Sequence, residues 1–230
     1  MSTYSSVIVG AGQGVGAATA TRLAADGGTV HLVGRRREPL EHTAQTVTAA
    51  GGHAVVHTAD ATSEQDVLAL AGAVEHADVI VHAVGDSSMT SFEDCSLAEW
   101  RRVVDANLTS AFLISSAFLP HLRRSSNASL VLISSKTALW GYPVVAYSAA
   151  KAGVVGMARA LAAELAPEHV RVLPLCPGPV DTPMRWRSTP QMDPELVIAP
   201  ESIAQLVHTM VTMPRGTVSG VLLLQSDLYD

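Results

Sequence analysis

Tyr147 and Lys151 stand four residues apart in Ala146-Tyr147-Ser148-Ala149-Ala150-Lys151-Ala152-Gly153, which puts both on one face of a helix. A phenol with a pKa near 10 is a poor base at neutral pH, and a nearby ammonium favours its ionised form. Such a tyrosine can give or take the proton that accompanies hydride transfer at carbon. Upstream, Leu130-Val131-Leu132-Ile133 runs into Ser134-Ser135. A hydroxyl at that point can hydrogen-bond a carbonyl oxygen and the phenol together, holding the reacting group in line. Read from the residues, either serine can fill the role, and the other closes the turn.

A second group of residues suits a dinucleotide. An apolar run at 6–9 leads directly into Gly10-Ala11-Gly12-Gln13-Gly14-Val15-Gly16 and then an Ala-rich stretch. Glycines there allow a tight turn and close approach of backbone to a pyrophosphate, and the open N–H groups of a following helix favour its charge. The next apolar run ends in Gly34-Arg35-Arg36. A carboxylate at that turn would bind the adenosine ribose and repel a 2′-phosphate. Gly34 leaves room for the phosphate instead, and Arg35, with Arg36 as second candidate, can contact it. Gln13 adds no charge of its own. The expected cofactor is therefore NADP(H).

The elements that must position these residues alternate along the chain. Short apolar runs at 6–9, 29–33, 54–57, 78–83, 129–133, 171–175 and 221–224 read as strands, and stretches near 14–26, 38–50, 63–75, 96–122, 145–166 and 200–213 have helical period. That alternation predicts an α/β fold: a Rossmann-type, doubly wound parallel sheet of about seven strands with helices on both faces. A chain of 230 residues without a Pro/Ser/Gly-rich linker reads as one domain, 1–230. The stretch 182–199, with Pro183, Pro190 and Pro194, has no clear period. Its 183–199 part is read as a substrate lid, since a loop of that length in a compact domain is usually functional.

Composition narrows the function further. Hydrophobic residues make up 48% against 16% charged, enough to bury a sheet on both faces, and the net charge of -6 leaves no electrostatic footprint for nucleic acid. Only Cys95 and Cys176 occur, and none of the nine histidines forms a zinc-type pair with a flanking Glu, so neither a disulfide framework nor a metal site is expected. Without a signal-like start or an uninterrupted apolar run of ~18 residues, a cytoplasmic protein that does not span a membrane is expected.

The glycine spacing at Gly10, Gly14 and Gly16, the chain length and Tyr147-x-x-x-Lys151 resemble the short-chain dehydrogenase/reductase family, with similarity from about Ser6 to Asp227. The resemblance implies a catalytic set of Asn107, Ser135, Tyr147 and Lys151. In it Asn107, within Val104-Asp105-Ala106-Asn107-Leu108, holds a water that links the lysine to solvent. Thirteen residues back from Tyr147 is Ser134, but aligning Gly141 and Pro143 with the family's glycine and proline selects Ser135. Lys151 would also bind the nicotinamide ribose. Pro177-Gly178-Pro179-Val180-Asp181-Thr182 resembles the turn against the nicotinamide, with the Val180 backbone and the Thr182 hydroxyl meeting carboxamide and phosphates. Asp60, with Ala61, resembles the adenine contact.

The family's usual Asn-Asn-Ala-Gly after strand four is here His82-Ala83-Val84-Gly85, so only Gly85 is kept. His82 is a partial replacement for an asparagine that braces the sheet. Val9, Leu173 and Gln225-Ser226-Asp227 also depart from the pattern, marking a divergent member. The implied activity is NADP(H)-dependent oxidoreduction of a small carbonyl compound or secondary alcohol. A dinucleotide-binding regulator without turnover is the rival reading, and it leaves the complete catalytic set unexplained. Trp140, Tyr142, Met184, Trp186, Met192 and Leu196 suggest a partly apolar substrate, and Arg185 and Arg187 offer charge to an anionic group. A homo-oligomer, dimer or tetramer, through 96–122 and 145–166 is implied by the resemblance.

Overall fold

Residues such as Val7, Ile8 and Val9 form strands because both of their faces find apolar cover. The structure is a computed structural model and describes residues 4–214 and 220–228; the beginning of the chain, 1–3, on which the expectation of no signal partly rested, lies outside them. Among the described residues are seven strands: β1 (Ser5–Val9), β2 (Thr29–Gly34), β3 (His53–Thr58), β4 (Val79–His82), β5 (Ser129–Ile133), β6 (Arg171–Pro177) and β7 (Leu222–Leu224). They make one sheet in the order β3-β2-β1-β4-β5-β6-β7, every pairing parallel. This is the doubly wound, Rossmann-type sheet that the alternation of periods predicts.

The helices are α1 (Gly14–Ala24), α2 (Arg37–Ala49), α3 (Glu64–Ala73), α4 (Leu97–Val104), α5 (Ser110–Arg124), α6 (Val145–Leu165), α7 (Pro183–Ser188) and α8 (Pro200–Thr212). Strand alternation divides the core in two. Val7, Val9, Ile80 and Leu130 face α3, α5 and α6 through Leu70, Phe118 and Val154. Ile8, Val79, Val81 and Val131 face α1, α2 and α8 through Leu23, Leu40 and Val207. Each fully buried side chain of this kind contributes ~1.5–3 kcal/mol. On β6 the buried Arg171 donates to the carbonyls of Met210, Val211 and Met213 at the end of α8, and to Asn127 Oδ1. A cation there satisfies carbonyls that the helix cannot.

Two expected elements differ in detail. The helix read at 96–122 runs on to Arg124 but is interrupted by one wide π turn at Asp105–Thr109. By length and average hydropathy Leu97–Arg124 could cross a membrane, yet Ala111, Ile114, Phe118 and Leu122 lie in the core against the sheet. The segment without period contains α7, capped by the Thr182 hydroxyl and opened by Pro183, and a tight turn at Pro194–Leu196. At six residues α7 is too short to display a helical period, so its cap and proline were its only sequence signals.

Candidate active site

Because the strand order reverses between β1 and β4, the strand ends there leave a crevice. The cleft has a volume of about 880 Å³, and its wall is built from the segments following β1 to β6. Most of the residues singled out in the sequence line it: the glycine loop, Arg35, Arg36, Asp60, Ala61, Gly85, both serines, Tyr147, Lys151, Pro177, Gly178, Val180 and Thr182. Gly16 and Asn107 are buried behind that wall.

At one end the glycine loop leaves β1 with Gly10 at φ 91° and Gly14 at φ 55°, both in the left-handed region that favours glycine. A Cβ on Gly16 would come within 2.1 Å of the Gly10 carbonyl oxygen, so helix and loop can pack only without it. The N-cap of α1, Gln13, makes no side-chain cap, whereas Ser63, Ser96 and Thr182 cap α3, α4 and α7. The first-turn N–H groups of α1 therefore face the cleft without a side-chain acceptor, which suits an anionic pyrophosphate. Arg35 and Arg36 are exposed at the rim beside Gly34. Asp60 accepts from the Thr62 backbone and hydroxyl at 2.9 and 2.8 Å. Although burial works against ionisation, those bonds and the Arg35 charge hold its carboxyl below the usual range.

At the other end, β5 and α6 are tied together. The Ser134 hydroxyl donates to the Lys151 main-chain carbonyl at 2.8 Å, and Lys151 Nζ donates to the Ile133 carbonyl at 2.9 Å. Ser134 is thus occupied. Ser135 caps the following turn through Thr137 N, accepts from the Thr137 hydroxyl at 3.2 Å, and lines the cleft close to the Tyr147 phenol. Tyr147 stands in the first turn of α6 and lines the cleft.

The ammonium lies 5.7 Å from the centroid of the Tyr147 ring. The phenol nevertheless does not behave as the four-residue spacing suggested. Burial pushes its pKa above the ordinary value, against the opposing pull of Ser135 and of the Arg185 charge. Lys151 itself turns toward the Ile133 carbonyl, and burial brings it down to about 8. With its pKa held above the ordinary phenol value, the Tyr147 hydroxyl keeps its proton.

Asn107 sits in the π turn, fully buried. Its amide donates to the carbonyls of Val103 and Asp86 at 2.8 and 2.7 Å, while Oδ1 has no partner among the described residues. A Cβ on Gly85 would stand 3.0 Å from that oxygen and 3.4 Å from Lys151 Nζ, so this glycine is the thin wall between the two. His82 is buried and bonded through Nε2 to the Ser110 hydroxyl at 2.8 Å, and Ser110 in turn donates to the Ala106 carbonyl. It thus braces the helix that carries Asn107 against β4, where a sheet brace was expected.

The turn after β6 is anchored by Gly178 N to the Leu224 carbonyl at 2.7 Å. The Thr182 hydroxyl, expected to meet the cofactor, donates to the Val180 carbonyl and accepts from Arg185 N at the start of α7. Sequence reasoning missed a tie between Ser87 and Ser188, whose hydroxyls lie 2.6 Å apart and join α7 to the loop after β4 across the cleft. Two serines in polar loops carry no pattern that could have linked them.

A family model described as short chain dehydrogenase matches residues 5–193. The chain belongs to the short-chain dehydrogenase family, a class of oxidoreductases. It is 37% identical over 182 residues to the short-chain reductase protein NovJ of Streptomyces niveus, covering 77% of this chain and 70% of that protein. Among solved structures it is similar to an alcohol dehydrogenase from the archaeon Thermococcus sibiricus complexed with 5-hydroxy-NADP. That match has a TM-score of 0.90 at 25% identity over 100% of this chain and 99% of the other. A short chain dehydrogenase from Mycobacterium paratuberculosis bound to NAD aligns with a TM-score of 0.86 at 27% identity, covering 96% of both chains. Neighbours of this fold thus hold either nicotinamide dinucleotide.

Proposed function

We propose that this protein is an NADP(H)-dependent carbonyl reductase with Tyr147 as general acid. The observation that carries the reading is that Ser135, Tyr147 and Lys151 line one wall of the cleft that the glycine loop opens. The glycine cradle and the uncapped start of α1 fit a dinucleotide pyrophosphate. When bound, the nicotinamide supplies the hydride. Ser135 orients the carbonyl oxygen, and the Tyr147 phenol donates its proton there as negative charge develops. Lys151 binds the nicotinamide ribose, and Asn107, with its unpaired Oδ1, holds the water that returns protons to it. In the alcohol-oxidising direction the same groups act in reverse.

Support for NADP(H) comes from Gly34, Arg35 and Arg36 together at the cleft rim. The test compares kcat/KM for NADPH and NADH with one carbonyl substrate, in wild type and in the Arg35→Ala/Arg36→Ala double variant. A preference for NADPH of tenfold or more that the double variant abolishes is expected. Equal values in wild type, or a preference that survives, overturn the assignment.

The same reading places the protein in the cytoplasm, with the segment 183–199 as a lid tied down by Ser87 and Ser188. It also makes the protein a dimer or tetramer. Leu97 and Phe112 on α4 and α5, 61% and 56% exposed, and the small residues Ala149, Ala152 and Gly156 on the outer side of α6 suit close helix packing. Light scattering at micromolar concentration should give a mass above 24.0 kDa.

A further inference from the structure

Helix α7 carries a cation to the reacting end of the cleft and holds it there. Three contacts set its orientation: the Thr182 cap on Arg185 N, the Trp186 indole N–H donating to Asp181 Oδ1 at 2.6 Å, and the Ser188 hydroxyl against Ser87. With Trp186 drawn to the Asp181 side, Arg185 lines the cleft. Its charge is felt at the Tyr147 phenol.

The guanidinium is under-used where it lies. Nη1 reaches the Thr189 hydroxyl at 3.3 Å, and among the described residues no carboxylate oxygen lies within 4.0 Å of it. The nearby Asp86 is engaged by Arg102, which also holds Glu99. A partly buried guanidinium offers five N–H donors in a fork shaped for a carboxylate. Its remaining N–H groups are open to the cleft, and an anionic ligand group there would take them in charge-assisted hydrogen bonds.

We propose that Arg185 is an anion subsite and that the substrate is a keto acid, with a carboxylate placed so that Arg185 holds it while its ketone oxygen meets Ser135 and Tyr147. This rests on the carbonyl-reductase reading above. Holding the substrate at both ends fixes the carbonyl for hydride, so the arginine sets specificity and does not take part in the chemistry.

The test uses two matched pairs in which a methyl group replaces the negative charge: acetoacetate with methyl acetoacetate, and 4-acetylbenzoate with its methyl ester. Each is titrated calorimetrically into the protein saturated with NADP⁺, and each is assayed for reduction with NADPH and with NADH. In at least one pair, wild type should bind the acid ten times or more tighter than the ester. Arg185→Ala should bring that ratio near one, Arg185→Glu should invert it, and Arg185→Lys should retain part of it. No preference for the acid in either pair, or a preference that survives Arg185→Ala, overturns the subsite. A tenfold loss of NADP(H) affinity in Arg185→Ala also overturns it, by giving the arginine to the cofactor. If the Arg185-dependent ratio is found but neither pair is turned over with either cofactor, the subsite stands and the reductase reading falls. Turnover of both members of a pair without a charge preference does the reverse.

Discussion

The Ser134 hydroxyl donates to the Lys151 main-chain carbonyl across the junction of β5 and α6, while Lys151 Nζ returns a bond to the Ile133 carbonyl. Two adjacent serines at the end of one strand therefore have different duties. Ser134 locks the helix to the sheet, and Ser135 is left to face Tyr147.

Their alanine variants should separate. Ser134→Ala removes a buried hydrogen bond and should cost about 1–2 kcal/mol of stability, read by denaturant unfolding, with turnover largely kept. Ser135→Ala loses the cap on Thr137 N, about 1 kcal/mol, but it alone should also lose about a hundredfold in kcat, because an oriented donor at the developing oxyanion is lost. A hundredfold loss of kcat in Ser134→Ala as well, or none in Ser135→Ala, would remove the division of labour.

Tyr147→Phe deletes one hydroxyl and keeps the ring against Lys151. Cofactor affinity and melting temperature should stay near wild type while kcat falls by about 10²–10⁴, the usual contribution of a positioned proton donor. A variant that still reduces a ketone at wild-type rate would exclude the tyrosine from the chemistry.

Burial brings Lys151 down from 10.5 to about 8. Between those values the unfolded chain holds a proton that the folded one has released, so stability rises with pH across the window. Below pH 8 the lysine is charged in both states, and the cost of its burial is fully present. The melting temperature of Lys151→Met, measured against wild type, should therefore stand highest at pH 7 and decline toward pH 10. An offset independent of pH would show that the lysine is not so perturbed.

His82 works at the acid end. Burial, with the Lys151 charge adding to it, lowers its pKa to about 3. The unfolded chain takes up a proton below 6.5 that the folded chain refuses, so stability is lost as pH falls from 6.5 toward 3. His82→Asn should move the midpoint of acid unfolding to lower pH. Coincident acid transitions for variant and wild type would contradict it.

Much of this protein was legible before any coordinates. The alternation of apolar runs and helical stretches determined the parallel sheet, the glycine loop lay directly after its first strand, and Tyr147 and Lys151 were four residues apart in one helix. Those features are local: a period, a turn and a spacing belong to neighbouring residues and survive in the sequence. The tertiary structure alone decided what depends on surroundings. Which serine was free for Tyr147 turned on a carbonyl in the facing helix. The direction of the Tyr147 shift turned on burial, not on the spacing that brought it and the lysine together. The reach of Arg185 turned on a six-residue helix too short to show a period, tied down by a pair of serines 101 residues apart. Desolvation and partner geometry arise from groups distant in sequence that the fold brings together, so no pattern along the chain could have disclosed them.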